Sequence, residues 1–386
     1  MLKILELFGG IGACSKALDR LGINYEIVDY VEIDKYAVKS FNAIHNTNFE
    51  PQDICSWNKD IEVDLIMHGS PCQDFSLAGK QAGGDKDSGT RSSLMYETIR
   101  IVKKLKPKYV IWENVKNLLS KKHVHNFNAY LETMEEMGYK SYYKVLNAKE
   151  YGIPQNRERV FTVSIRSDID MGFVFPEKQE LKLKLKDMLE DNVDEKYYLS
   201  DEQVKAIKYS TYNQNKTRIQ EKEYADTLCA RDWKDPKCIQ VNRKYGIFDT
   251  EKYTHQAGSV YDENGLSPTL DTMQGGYRQP CIEVKNAYLR NFGSKGKLQD
   301  INTSCDTLQA AMGMGGGNTP ILQHTNKIRK LTPKECWRLM GFDDNDFEKA
   351  EKVNSNSQLY KQAGNSIVVN ILEAILRNLF DWDDIA

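Results

Sequence analysis

The chain has 386 residues, with 53 Lys and Arg against 55 Asp and Glu and a formal net charge of -2 at pH 7. That length suits two domains, while the near-neutral balance excludes a global attraction to polyanions, so any nucleic-acid binding must come from a local patch. No apolar run approaches the roughly 20 residues of a membrane helix. No two of the eight cysteines, at 14, 55, 72, 229, 238, 281, 305 and 336, have the two-residue gap of a zinc site, and no secretory segment precedes them, which predicts a soluble, reduced, cytoplasmic protein with no resident metal.

Residues 1 to about 166 alternate short apolar runs with amphipathic stretches. The first run, Ile4 to Phe8, leads through Gly9-Gly10-Ile11-Gly12 into a helical stretch, Ala13 to Leu21. A strand, glycine turn and helix let backbone approach a ligand and aim helix N–H groups at it. The next strand, Ile27 to Val31, is followed by Glu32, 20 residues after Gly12, where a carboxylate can take ribose hydroxyls. A dinucleotide fingerprint needs a third glycine at position 15; Ser15 stands there. The glycines alone leave NAD open beside other nucleoside cofactors. Asp53, in Gln52-Asp53-Ile54, is either an adenine contact at the next strand edge or an ordinary turn residue.

The run Val63 to Met67 precedes Gly69-Ser70-Pro71-Cys72-Gln73-Asp74-Phe75, which sets Cys72 on a rigid turn as a nucleophile or a small buried thiol. Asp74 to Ser93 carries Gly79, Gly83, Gly84 and Gly89 and predicts a mobile lid. A helix at Met95 to Leu105 and a strand at Tyr109 to Trp112 follow, then Glu113-Asn114-Val115. A carboxylate and an amide directly after a buried strand are costly without partners. In an open parallel sheet both strand ends face one cleft, so Cys72 and Glu113 can share it across 41 residues. After a helical stretch at Tyr130 to Met137, Gln155, Arg157 and Arg159 stand two apart at the start of the strand Val160 to Ile165. Period two predicts one donor-rich wall for a phosphate or a carbonyl oxygen gaining charge.

Past Arg166 the pattern weakens. A charged segment, Glu177 to Glu195, leads into a region rich in Thr, Gln, Asn, Gly and Tyr that holds a threefold repeat. Its units run from Asp226-Thr227-Leu228 to Pro236, from Pro268-Thr269-Leu270 to Pro280 and from Asp306-Thr307-Leu308 to Pro320. Threonines 42 and then 38 residues apart predict side-by-side hairpins. Thr332-Pro333-Lys334-Glu335 is a capping-box pattern. The final helix, with Ile367, Val368, Ile371, Leu372, Ile375, Leu376 and Leu379 on one face, is expected to pack back onto the first domain.

A thiolate, a carboxyl acid and cationic donors suit one reaction: addition of sulfur to carbon 6 of cytosine with protonation of ring nitrogen 3, which makes carbon 5 nucleophilic. The ordered set Phe8-Gly9-Gly10-Ile11-Gly12, Glu32, Asp53, Pro71-Cys72-Gln73, Glu113-Asn114-Val115, Gln155-Asn156-Arg157-Glu158-Arg159, Arg329 to Glu335 with Gly341-Phe342, and Gln362-Ala363-Gly364-Asn365-Ser366 resembles the motif series of bacterial and phage cytosine-5 DNA methyltransferases. The match covers roughly the first 166 and last 60 residues. Its departures are mild: Phe-Gly-Gly where Phe-Ala-Gly is common, Asp74 after Gln73, and Lys334 where Arg is frequent.

The resemblance implies an α/β, Rossmann-like S-adenosylmethionine-dependent domain, with a mostly parallel sheet and helices on both faces, plus a smaller β-rich target-recognition domain. Its expected boundaries are 1–170 and 326–386 for the catalytic domain and 171–325 for recognition. It implies Cys72 as nucleophile, Glu113 as acid and Arg159 as donor to the cytosine carbonyl, with Arg157 and Gln73 beside them. Phe8, Gly9, Gly10, Ile11, Gly12, Glu32, Ile33, Asp53, Ile54, Pro71, Asn365 and Ser366 would hold S-adenosylmethionine. Ser76, Gln155, Arg231, Arg278, Thr227, Thr269 and Thr307 would contact double-stranded DNA. The expected enzyme is a monomer that flips its target base, with or without a cognate restriction endonuclease. An RNA-directed relative and a catalytically silent DNA-binding paralogue are the alternatives.

Overall fold

The computed structural model describes residues 1–71, 94–198 and 331–380 in full and, between 199 and 330, the backbone of five strands. The chain divides into two units, one of residues 1–189, 266–276 and 333–386 and one of residues 190–265 and 277–332.

The first unit is built on β1 (Leu2–Leu7), α1 (Ala13–Leu21), β2 (Tyr25–Val31), α2 (Lys35–His45), β3 (Leu65–His68), α3 (Met95–Leu105), β4 (Tyr109–Val115), α4 (Val124–Glu136), β5 (Tyr139–Asn147) and β6 (Glu158–Arg166). Its sheet runs β2-β1-β3-β4-β6-β5. The first four strands are parallel, and β6 is antiparallel to both β4 and β5. Five strands therefore point one way, the mostly parallel sheet that the alternation predicts.

The central strands read as unbroken apolar runs because both of their faces are covered. Leu5, Leu7, Ile66, Val110 and Trp112 form one core cluster with Met95 and Ile101 of α3 and Phe127 and Tyr130 of α4. Ile4, Leu65 and Ile111, which alternate to the opposite face, are equally buried. After residue 332 the chain returns to this unit as α5 (Pro333–Arg338), α6 (Asp344–Glu351), α7 (Asn356–Asn365) and α8 (Val369–Leu379). Helix α8 buries Ile371, Leu372, Ile375 and Leu376 and packs against α1. Lys16 of α1 adds ion pairs to Asp343 at 2.6 Å and to Asp346 at 2.8 Å.

Two elements escape the sequence reading. Helix α2 carries Ala37, Val38, Phe41 and Ile44 on its buried face, a short stripe interrupted by lysines. Strand β5 has an irregular burial pattern with exposed Lys140, Tyr143 and Lys144, as an edge strand allows.

In the second unit the described strands are β7 (Arg243–Gly246), β8 (Ser259–Asp262), β9 (Cys281–Asn291), β10 (Leu298–Asp300) and β11 (Pro320–Lys330). The pairs β7–β8, β9–β10 and β9–β11 are antiparallel, and β8–β9 is parallel. Strand β9 follows Pro280 of the second repeat and β11 begins at Pro320 of the third; their register runs from Cys281↔Lys330 to Asn291↔Pro320. The described pairing thus joins one repeat to the next. The Thr-Leu dipeptides themselves lie outside the described residues.

Candidate active site

The sheet register brings the sequence motifs to one edge. Leu7 is level with His68, and His68 with Trp112, so the next residues along these parallel strands, Phe8, Gly69 and Glu113, follow at neighbouring strand ends. Ligands bind at such carboxyl ends.

On the β1 side, Phe8 takes φ +54, a left-handed conformation rare outside glycine, while its N–H donates to Val31 O at 2.7 Å. Gly12, with φ +81, starts α1 with no capping side chain; a Cβ there would stand 2.3 Å from His45 Nε2 and 2.8 Å from Phe41 Cε2. A Cβ on Gly10, φ +56, would meet nothing within 4 Å. The turn is therefore tight on its protein side and open at Gly10. Glu32 closes it: Oε2 accepts the Gly10 N–H at 3.2 Å and Oε1 the Asp34 N–H at 2.8 Å. Burial raises the Glu32 pKa against these backbone donors. A held carboxylate beside an open glycine backbone fits the ribose end of a nucleoside cofactor. Ile33 beside it is 69% exposed, a free apolar surface for a base. Asp53 is exposed and accepts the Cys55 N–H, and Ile54 joins the core with its carbonyl accepting from Arg100 Nη2 at 2.9 Å.

On the β3 and β4 side, Ser70 is a residue the sequence reading passes over. Trp112 Nε1 donates to its Oγ at 3.0 Å, and Asn114 Nδ2 to its carbonyl at 3.3 Å. Strand β4 thereby fixes the chain just ahead of Pro71. Cys72, Gln73, Ser76 and the expected lid lie outside the described residues, as do Arg231, Arg278, Thr227, Thr269 and Thr307.

Glu113 is 8% exposed, and a Cβ on Gly69 would stand 3.8 Å from its Oε2. Arg159 Nε lies 3.0 Å from Glu113 Oε1, an ion pair whose alignment falls short of a hydrogen bond. Burial raises the Glu113 pKa, and Arg159 and Arg157 oppose the rise. The carboxyl is thus biased towards the protonated state in which it can donate.

The expected wall of Gln155, Arg157 and Arg159 is corrected, because β6 begins only at Glu158 and the three side chains diverge. Gln155 is fully buried with its amide donating to Leu339 O at 2.7 Å, so it braces the protein interior and is no surface DNA contact. Arg157, also buried, donates to Gly364 O at 3.2 Å and Ser366 O at 2.8 Å. Only Arg159 stands against Glu113. Of the C-terminal pair, Asn365 is exposed and Ser366 is buried with its hydroxyl on Ile367 O.

Other site neighbours carry no sequence signal of their own. Tyr30 donates through its hydroxyl to Gly10 O at 2.6 Å, and Lys361 of α7 pairs with Asp34 at 2.6 Å. Among the described residues no group of three or more His, Cys, Asp or Glu could hold a metal ion, and no helix is long and apolar enough to cross a membrane.

The Rossmann-like sheet thus gathers a glycine turn, a carboxylate held beside it and a buried acid at one set of strand ends. The model of the C-5 cytosine-specific DNA methylase family matches residues 2–381, and the chain belongs to that family. It is 34% identical to the orphan methyltransferase M.SPBetaI of Bacillus phage SPbeta, over 98% of this chain and 97% of that protein. It is 32% identical to the type II methyltransferase M.HhaI of Haemophilus parahaemolyticus, over 98% and 94%. The fold is similar to a putative DNA modification methyltransferase from an E. coli prophage, with a TM-score of 0.59, 19% identity and full coverage of both chains. It is also similar to Spodoptera frugiperda DNMT2, with a TM-score of 0.61, 18% identity and 99% and 100% coverage. The enzyme is a DNA cytosine-5 methyltransferase, of a family that draws its methyl group from S-adenosylmethionine.

Proposed function

We propose that this chain adds Cys72 to carbon 6 of a cytosine turned out of duplex DNA and methylates carbon 5 within a specific short sequence. The observation that carries the reading is Glu113: a buried carboxyl with a raised pKa, held beside a guanidinium at the strand end next to Gly69.

In this reading the Cys72 thiolate forms the sulfur–carbon 6 bond. The displaced ring electrons are received at nitrogen 3 with the Glu113 proton, while Arg159 holds the carbonyl oxygen. Bound S-adenosylmethionine supplies the electrophilic methyl group for the activated carbon 5. Return of the nitrogen 3 proton to Glu113, loss of the carbon 5 proton to water and departure of the thiolate restore the ring and the acid. Phe8 and the turn 9–12 would contact the cofactor, Glu32 its ribose and Asp53 its adenine, with Ile33, Ile54 and Pro71 beside them and Asn365 with Ser366 near the methionine end.

Gln73 supports the nucleophile's turn, and the lid from Asp74, with Ser76, closes over the base and excludes water. The region 171–325 carries target recognition, with Thr227, Thr269, Thr307, Arg231 and Arg278 reaching bases or phosphates. The protein acts in this account as a cytoplasmic monomer that protects DNA, alone or beside a restriction endonuclease of the same specificity. The test is Cys72→Ser. It should abolish methyl transfer and retain S-adenosylmethionine binding, and normal transfer by that variant would overturn the assignment.

A further inference from the structure

Arg157 does something other than serve substrate. Its guanidinium is 3% exposed and spans Gly364 O and Ser366 O, the carbonyls on either side of the exposed Asn365. Its backbone is fixed independently: its N–H donates to Asn147 Oδ1 at 3.2 Å, and its carbonyl accepts the Ala148 N–H at 3.1 Å, the last residue of β5 and the one after it. Two residues on, Arg159 reaches Glu113. Less than a turn earlier α7 is tied to the cofactor side, by Lys361 on Asp34 and by Gln362, which donates to Tyr36 O and accepts from Ser40 Oγ. Asp34 in turn donates its N–H to Glu32. The segment 361–366 is therefore slung between the β2 end, which carries Glu32, and Arg157, which belongs to the β6 approach.

We propose that Arg157 is a positioning residue that ties the segment around Asn365 to the acid-bearing edge, so that cofactor seating and the setting of Glu113 depend on one buried guanidinium. This rests on the methyltransferase reading above. Both hydrogen bonds leave one terminal nitrogen, Nη2, whose two N–H groups are fixed in the guanidinium plane; a lysine keeps the charge and loses that fixed pair. The charged groups acting on Glu113 among the described residues are Arg159 and Arg157, and both favour the carboxylate. Losing the Arg157 charge moves Glu113 further towards its protonated form.

The test compares the whole enzyme with Arg157→Lys and Arg157→Met for S-adenosylmethionine dissociation constant, single-turnover methylation against pH, and thermal midpoint. Arg157→Lys should weaken cofactor binding on the order of tenfold, the scale of a lost hydrogen bond to a charged group, with the alkaline limb of the pH profile unmoved. Arg157→Met should weaken binding at least as much and carry that limb to higher pH. If Arg157→Met does not fold, Arg157→Lys alone decides through its dissociation constant. Unchanged cofactor affinity in a folded variant overturns the proposal, and so does a loss of thermal midpoint with affinity and limb both in place. A wild-type enzyme that leaves cytosine unmethylated would instead overturn the methyltransferase reading.

Discussion

Glu6 offers a sharp physical test of the cofactor loop. It sits on β1 two residues before Phe8, is 2% exposed, and accepts both the N–H and the hydroxyl of Ser15 in the first turn of α1. It does the work of the missing cap, since Gly12 has no side chain to offer. Burial pushes its pKa from 4.5 to about 7, partly offset by Ser15, with no cation among the causes. The folded state therefore holds the Glu6 proton at pH values where the unfolded chain has lost it. The stabilisation is full below about pH 4.5 and is lost as pH rises through about 7. At about 1.4 kcal/mol for each pH unit between those values, the loss comes to roughly 3 kcal/mol. Glu6→Gln keeps an acceptor for Ser15 and removes the charge. Urea melts followed by tryptophan fluorescence, with Trp57, Trp112 and Trp337 as buried reporters, should find the variant more stable than wild type by up to roughly 3 kcal/mol at pH 8. The advantage should disappear towards pH 4.5. A difference that stays constant with pH, or a variant less stable at pH 8, would refute the reasoning.

Three further outcomes are expected. Glu113→Gln should slow covalent addition by about two to four orders of magnitude in single-turnover assays, and should erase the decline in rate that wild type shows as pH rises through the elevated Glu113 pKa. Gly12→Ala, which sets a Cβ 2.3 Å from His45 Nε2 at positive φ, should abolish cofactor binding by equilibrium dialysis or lower the melting temperature. Leu372→Ala, at a fully buried position of α8, should cost about 2–5 kcal/mol in urea melts.

The strands of the first unit other than β5 were legible because apolar runs such as Val110 to Trp112 are buried on both faces and need no period to be seen. The positions of Glu32 and Glu113 after such runs could be read from chain order alone. What sequence could not supply was side-chain direction. Period two assigns Gln155, Arg157 and Arg159 to one face only if the strand includes them; it starts at Glu158, and the first two turn inward to Leu339, Gly364 and Ser366. Those partners lie roughly 200 residues away along the chain, beyond any local pattern. Lys361 on Asp34 and Ser70 beneath Trp112 are likewise paired beyond the reach of any local pattern.

The account turns on carbon 5 of cytosine as the methylated atom and on Cys72 as the group that activates it. Duplex DNA of mixed sequence should be incubated with S-adenosylmethionine and either the enzyme or Cys72→Ser, then sequenced after bisulfite conversion. The wild type should leave 5-methylcytosine at one recurring short sequence, and the variant should leave none. Methylation at another atom, or equal 5-methylcytosine with both proteins, would contradict the account.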